Sequence, residues 1–166
     1  MIELREWKTE DAKALSTLLN NKKILDNLRD GLPYPYTEED ALFYINSCLN
    51  GDKNNQFCFA IVSDGKVVGS IGVFRQSNIH IHTAEMGYYI AEEYWGKGIG
   101  TQAVKLAVEH VFDNSDIVRI YAEPFAENTG SCRILEKNAF VLEGILHKNA
   151  YKNGSFRDMK MYAKIK

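Results

Sequence analysis

"EEYWGKGIGTQAVKLAVEHVF", residues 92–112, reads as the end of a strand, a glycine-dense turn and an amphipathic helix. Gly96, Gly98 and Gly100 alternate, with Lys97 among them and Thr101 just after. The helix is expected over 98–112, carrying Val104, Ala107, Val108 and Val111 at one-face spacing. The first N–H groups of a helix have no internal acceptors and carry partial positive charge. Glycines ahead of them remove the Cβ atoms that would hold an anion off the backbone. The stretch therefore suggests a phosphate-bearing ligand, beside the plainer reading of a tight turn with no ligand. It is not a P-loop, because no G-x-x-x-x-G-K-[ST] occurs. Nor is it the dinucleotide fingerprint, which needs a different glycine spacing and a parallel βαβ series.

Outward from this point, "IHIHTAEMGYYIAEEY" (79–94) reads as the strand before the helix and "IVRIYAE" (117–123) as the strand after it. "IELREW" (2–7) is a first strand, and Thr9 a candidate cap for a helix burying Ala12, Leu15, Leu18 and Leu19. A polar stretch follows, and then Pro33 and Pro35 set an extended loop that turns Tyr34 and Tyr36 outward to substrate, with packing as the alternative. Thr37 opens a helix with Ala41, Leu42, Tyr44, Ile45 and Cys48 on its inner face. Asp64-Gly65 and Asn153-Gly154 each join two strand-like runs, a hairpin signal. "ENTGSCRILEKNAF" (127–140) reads as a short capped helix ending near Asn138. The pattern is one α/β domain over 1–166, with many antiparallel neighbours and one strand–helix–strand unit in its middle.

Composition bounds the function. The 166 residues are 45% hydrophobic and 25% charged, with a formal net charge of -2. Such a chain buries a real core and has no overall attraction to nucleic acid or to an anionic membrane. No apolar run reaches the roughly 18 residues of a span, and the first residues lack the pattern of a signal peptide. Cys48, Cys58 and Cys132 show no C-x-x-C spacing, and reduced thiols in a cytoplasm are the simplest account. His80 and His82 alternate as two zinc ligands might, yet no third ligand is patterned with them, so no metal is expected.

"AEMGYYIAEEYWGKGIGTQAV", followed about thirty residues later by "NTGSCRILEKNAFVLEG", resembles the GNAT acyl-CoA N-acetyltransferase superfamily. The segment "NLRDGLPYPYTEEDALFYI" (27–45) is similar to the branch of Rim-type ribosomal-protein N-terminal acetyltransferases. The resemblance spans nearly the whole chain. It implies a mixed, mostly antiparallel central sheet flanked by helices, with acetyl-CoA as co-substrate. The loop Trp95, Gly96, Lys97, Gly98, Ile99, Gly100 and Thr101 would hold the coenzyme pyrophosphate. Trp95 stands where many relatives carry Gln or Arg, a departure that backbone amides make tolerable.

Acetyl transfer needs a neutral amine, a stabilised thioester oxygen and a departing thiolate. Glu85 is the candidate base, just before Gly87, whose missing side chain permits a bulge and a close approach. The alternative for Glu85 is a surface or ion-paired glutamate. By resemblance, the backbone of Tyr88, Tyr89 and Ile90 would pair with the pantetheine arm like an added strand. Asn128 caps the 129–138 helix and, by resemblance, also touches that arm. Leu135 stands where many relatives carry a tyrosine acid, so Ser131 is the nearest hydroxyl that could protonate the thiolate. The alternative for Ser131 is a first-turn serine satisfying a backbone N–H. The acceptor implied is a protein N-terminus. A small molecule such as a polyamine, aminoglycoside or amino acid is the second choice, and a coenzyme A-binding module without turnover the rival outside enzymes. Oligomeric state is open, a homodimer included.

Overall fold

Alternating apolar positions build seven strands: β1 (Ile2–Arg5), β2 (Gln56–Ser63), β3 (Lys66–Arg75), β4 (Thr83–Ile90), β5 (Arg119–Ala122), β6 (Val141–Lys152) and β7 (Ser155–Ile165). They form one sheet in the order β1-β2-β3-β4-β5-β7-β6, in a computed structural model that describes residues 1–166. Every pairing is antiparallel except β4 with β5. Asp64 and Gly65 have φ of 48° and 78°, and Asn153 and Gly154 have 51° and 77°. Positive φ at both central residues is what a twist-matched two-residue hairpin demands, and Asp-Gly and Asn-Gly supply it at low cost.

Helices cover both faces. Alternation along β2 turns Ala60 and Val62 towards α1 (Ala12–Leu19) and α3 (Glu38–Asn50), joined by Trp7, Leu15, Leu19 and Ile45 in one buried cluster. Phe57 and Ile61 face the opposite way, into the larger core with Val104, Ala107, Val108 and Val111 of α4 (Ile99–Asn114). Leu135 of α5 (Thr129–Lys137) and Tyr162 of β7 complete that core. The sheet's middle strands are thus buried on both sides.

Several local expectations change in the folded chain. Thr9 does not cap α1; residues 9–11 form a 3-10 turn in which the Lys8 N–H donates to Asp11 Oδ2 at 2.9 Å. Asp11 is held there by Arg5, a partner that helix periodicity does not reveal. The polar stretch after α1 contains a short α2 (Lys22–Leu25) capped by Asn21. Leu42 is 38% exposed, on the outer flank of α3, although Thr37 caps that helix as expected, its Oγ1 accepting from the Asp40 N–H at 3.1 Å. Tyr36 is buried, not outward, whereas Tyr34 is exposed. Asn20 clamps the Tyr36 backbone from both sides, at 2.7 and 2.6 Å, and so draws its ring inward. The strand read over 79–94 contracts to β4, with 3-10 turns at Asn78–His80 and Glu92–Tyr94. His80 and His82 therefore share no strand face, and His82 Nδ1 lies 3.0 Å from the Asp116 carbonyl. No helix is long and apolar enough to cross a membrane.

Candidate active site

The site begins where two strands part. β5 pairs with β4 only at Thr83, Ala84 and Glu85. β3 accompanies β4 along 84–90 with Gly72 opposite Gly87 and no shift of register, so the bulge expected at Gly87 is absent. From Met86 to Ile90 the far edge of β4 has no strand partner. The Ala91 N–H donates to Val68 O at 2.8 Å, which fixes the alternation: Tyr89 turns its backbone groups to β3, and Tyr88 and Ile90 turn theirs to the open edge. Tyr89 is thereby removed from the set of backbone groups that an added strand would meet. The Ile90 carbonyl already accepts the Trp95 indole N–H at 2.8 Å. The opening is part of a cavity of about 1050 Å³. A Cβ added at Gly87 would meet nothing within 4 Å, so this glycine leaves room in the cleft instead of kinking the strand.

The glycine-dense turn closes one end of the cavity. Gly96 and Gly98 have φ of 73° and 77°, left-handed values that strain any residue with a side chain. Gly100 is needed for another reason: a Cβ there would lie 2.6 Å from Ile134 Cδ1, where α4 packs on α5. The first helical bond of α4 runs from the Gln102 N–H to Gly98 O at 3.1 Å, leaving the N–H groups of Ile99, Gly100 and Thr101 without helical acceptors. Trp95, Gly96, Gly98, Gly100 and Thr101 line the cavity. Lys97 and Ile99 do not: the Lys97 ammonium lies over the Tyr94 ring at 5.2 Å, and Ile99 is buried in the larger core. Their side chains are corrected out of the site; at most their amides belong to it. Four cations do line the cavity, Lys23, Arg29 and, on α5, Arg133 and Lys137, and the sequence reading missed the pair on α5. Their spacing of four on a helix whose other face buries Cys132 and Leu135 was the available signal.

Midway along the cavity, α5 presents its N-terminus. Asn128 Oδ1 accepts from the Ser131 N–H at 3.2 Å, the cap that was expected, and both residues line the cavity. The Ser131 hydroxyl lies 2.9 Å from the Tyr88 hydroxyl, which is also 3.2 Å from the Ser131 carbonyl oxygen. Burial pushes the Tyr88 phenol well above its ordinary range, partly offset by Ser131, so it stays protonated at any working pH. Leu135 is fully buried and does not reach the cleft.

Glu85 lines the opposite end, where it faces the cavity and is ion-paired, the second of its two sequence readings. Arg29 Nη2 binds one carboxylate oxygen and the Tyr121 hydroxyl donates to the other at 3.1 Å. Glu123, just past β5, is 3.4 Å from the same guanidinium. Burial pushes the Tyr121 phenol up to about 12, with the Glu85 carboxylate adding to it. Burial and then the Glu85 charge raise the Glu123 carboxyl, opposed by Arg29. Sequence reading missed Arg29, Tyr121 and Glu123, because the contacts join residues 36 to 94 positions apart. Chemically the cleft joins an anion cradle to a carboxylate, past a strand edge able to hold an extended chain.

Fold and cleft together define an acyltransferase-type α/β protein. Residues 2–141 match the acetyltransferase (GNAT) domain family, and the chain belongs to that family of N-acetyltransferases. It is 36% identical over 115 residues to the probable N-acetyltransferase YjcK of Bacillus subtilis, an alignment covering 69% of this chain and 64% of that protein. The spermidine N(1)-acetyltransferase of Escherichia coli is 27% identical over 159 residues, covering 95% of this chain and 82% of that protein. Among solved structures, the ribosomal-protein-S5-alanine acetyltransferase of Vibrio fischeri superposes with a TM-score of 0.87 at 26% identity, covering 99% of this chain and 92% of that one. RimL, a ribosomal L7/L12 α-N-protein acetyltransferase in complex with coenzyme A, gives 0.86 at 26% identity, covering 99% and 93%.

Proposed function

We propose that residues 1–166 form one cytoplasmic N-acetyltransferase domain that moves the acetyl group of acetyl-CoA to a primary amine, by direct attack in a ternary complex. The observation that carries this is the parting of β4 from β5 immediately after Glu85, which puts an unpaired strand edge between the glycine cradle and a carboxylate. The coenzyme pyrophosphate lies on the amides of 96–101, with Arg133 and Lys137 near its phosphates. The pantetheine amides pair with the outward backbone groups of Tyr88 and Ile90, the latter after Trp95 yields, and Asn128 flanks the arm. A protonated amine gives a proton to Glu85, directly or through water. Its freed lone pair attacks the thioester carbon, the C–N bond forms and the C–S bond breaks. The amine then loses its second proton to solvent, and the thiolate leaves against the Ser131 hydroxyl. A thiol pKa near 8.5 makes that thiolate a fair leaving group without a strong acid. The proposed transfer needs no metal.

The acceptor we propose is a protein N-terminus, a reading supported by the likeness to the two ribosomal-protein acetyltransferases. A polyamine is the second reading, favoured by the likeness to the spermidine enzyme. Free-thiol release from acetyl-CoA with a panel of amines and peptides tests the activity. Mass spectrometry of protein N-termini from cells with and without the protein tests the acceptor. Loss of acetyl groups from particular N-termini in the deletion is the expected result, and an unchanged set beside robust polyamine turnover selects the second reading.

A further inference from the structure

Arg29 is the only cation in contact with the acids at the acceptor end, and its position has two unusual features. Its side-chain hydrogen bonds go only to Glu85 and Glu123, and its side chain is 63% exposed. The backbone that carries it is nevertheless held. Lys152 Nζ, itself buried, binds Asp30 Oδ1 at 3.0 Å, Asn153 binds Asp26 Oδ1 at 3.0 Å, and Arg157 donates to the Asp26 carbonyl at 3.1 Å. The β6–β7 hairpin tip thus fixes the base of the loop and leaves a long, solvent-exposed side chain reaching over the cleft.

The strands explain why a cation is wanted there. Parallel register sets Glu85 beside Tyr121, and two residues on, where the strands have parted, Glu123 faces the same opening. Two carboxylates so placed repel, and burial first and then the Glu85 charge push the Glu123 carboxyl up. A guanidinium relieves it without ever giving up a proton, so Arg29 cannot itself be acetylated through Glu85. A primary amine reaches neutral solution as an ammonium and needs the same two acids, one to bind its charge and one to take its proton. Both cations cannot occupy one position. Arg29 itself is 63% exposed, so its release to water demands little rearrangement, whereas Glu85 and Glu123 are only 25% and 19% exposed and need a cation in its place.

We propose that Arg29 is a built-in stand-in for the acceptor's ammonium: a cationic primary amine displaces it from Glu85 and Glu123, and Glu123 is the acid that selects for charge. The proposal rests on the reading of Glu85 as the acceptor's base. It is tested by calorimetric titration of spermidine, and separately of a hexapeptide with a free amino end, into wild type, Arg29→Gln and Glu123→Gln with saturating coenzyme A present. Removing the competitor should tighten binding of at least one probe about three- to tenfold in Arg29→Gln, and Glu123→Gln should weaken it comparably. In turnover, Arg29→Gln should lower KM for the amine with kcat little changed, and KM for acetyl-CoA should not move. Equal or weaker binding of both probes by Arg29→Gln, including no binding by either protein, overturns the proposal. Arg29 is exposed, so that variant folds even where Glu123→Gln does not. Absence of coenzyme binding and of thiol release in wild type refutes the acetyltransferase reading instead, because the titration reads Arg29 without turnover.

Discussion

Both oxygens of Glu85 are occupied in the resting protein, one by Arg29 and one by the Tyr121 hydroxyl. A base in this condition acts only once the incoming amine has replaced a partner, which makes its removal a clean test. Glu85→Gln should lower turnover at neutral pH by about 10²- to 10⁴-fold and leave coenzyme A affinity nearly unchanged. Part of the loss should return as pH rises, since more acceptor is then neutral without help. A pH-independent, unchanged rate makes Glu85 structural. Ser131 belongs to the same scale. Its hydroxyl is shared with Tyr88 rather than free, and a thiolate leaves tolerably unaided, so Ser131→Ala should cost less than about tenfold in kcat. A hundredfold loss with normal coenzyme affinity and an intact fold would establish Ser131 as the acid. Leu135→Tyr installs the residue many relatives carry, yet it places a phenol in a fully buried core position and should destabilise.

At the scale of the element, the 96–101 turn and the start of α4 act together. The left-handed φ of Gly98 sets the direction in which the first-turn amides point, and a β-branched residue there is strained even though the space is open. Gly98→Val should therefore abolish coenzyme A binding and also lower the thermal midpoint. Gly98→Asn separates the two effects, because Asn tolerates the left-handed conformation while its side chain fills the cradle. Asn should keep the fold and lose most of the coenzyme affinity. Near-normal affinity in a folded Gly98→Val protein would remove the pyrophosphate from this turn.

Across the whole molecule, β1 and the entry to α1 are tied by Arg5 and Asp11, at 2.8 and 2.9 Å, on the edge of the sheet farthest from β6. Burial pushes the Asp11 carboxyl up, but the Arg5 hydrogen bond and the Lys8 N–H outweigh it, and the net shift is downward from 3.8. A depressed carboxylate stabilises the fold above its unfolded pKa and loses that contribution as pH falls through the folded value. Asp11→Asn should thus cost about 1.5–3 kcal/mol at pH 7, and the gap to wild type should begin to narrow below about pH 4 and close as pH falls through the depressed folded value. Urea midpoints at the two pH values measure it, and a gap that persists unchanged in acid refutes the linkage.

How much of this was legible in the sequence follows from the range of the interactions. The two hairpin turns, the Thr37 and Asn128 caps and the buried face of α4 depend on residues within a few positions of one another. Turn dihedrals, first-turn donors and helical periodicity settled them in the chain itself. The glycine turn was legible too, although the separate reasons for Gly98 and Gly100 were not, since Gly100 answers to Ile134 on another helix. Tertiary structure alone decided where β5 stops following β4, that β7 enters between β5 and β6, that Tyr36 goes inside, and that Arg29 meets Glu85 across 56 residues. Those outcomes depend on pairing and packing between segments whose separation no local preference records, and the cleft is made of them.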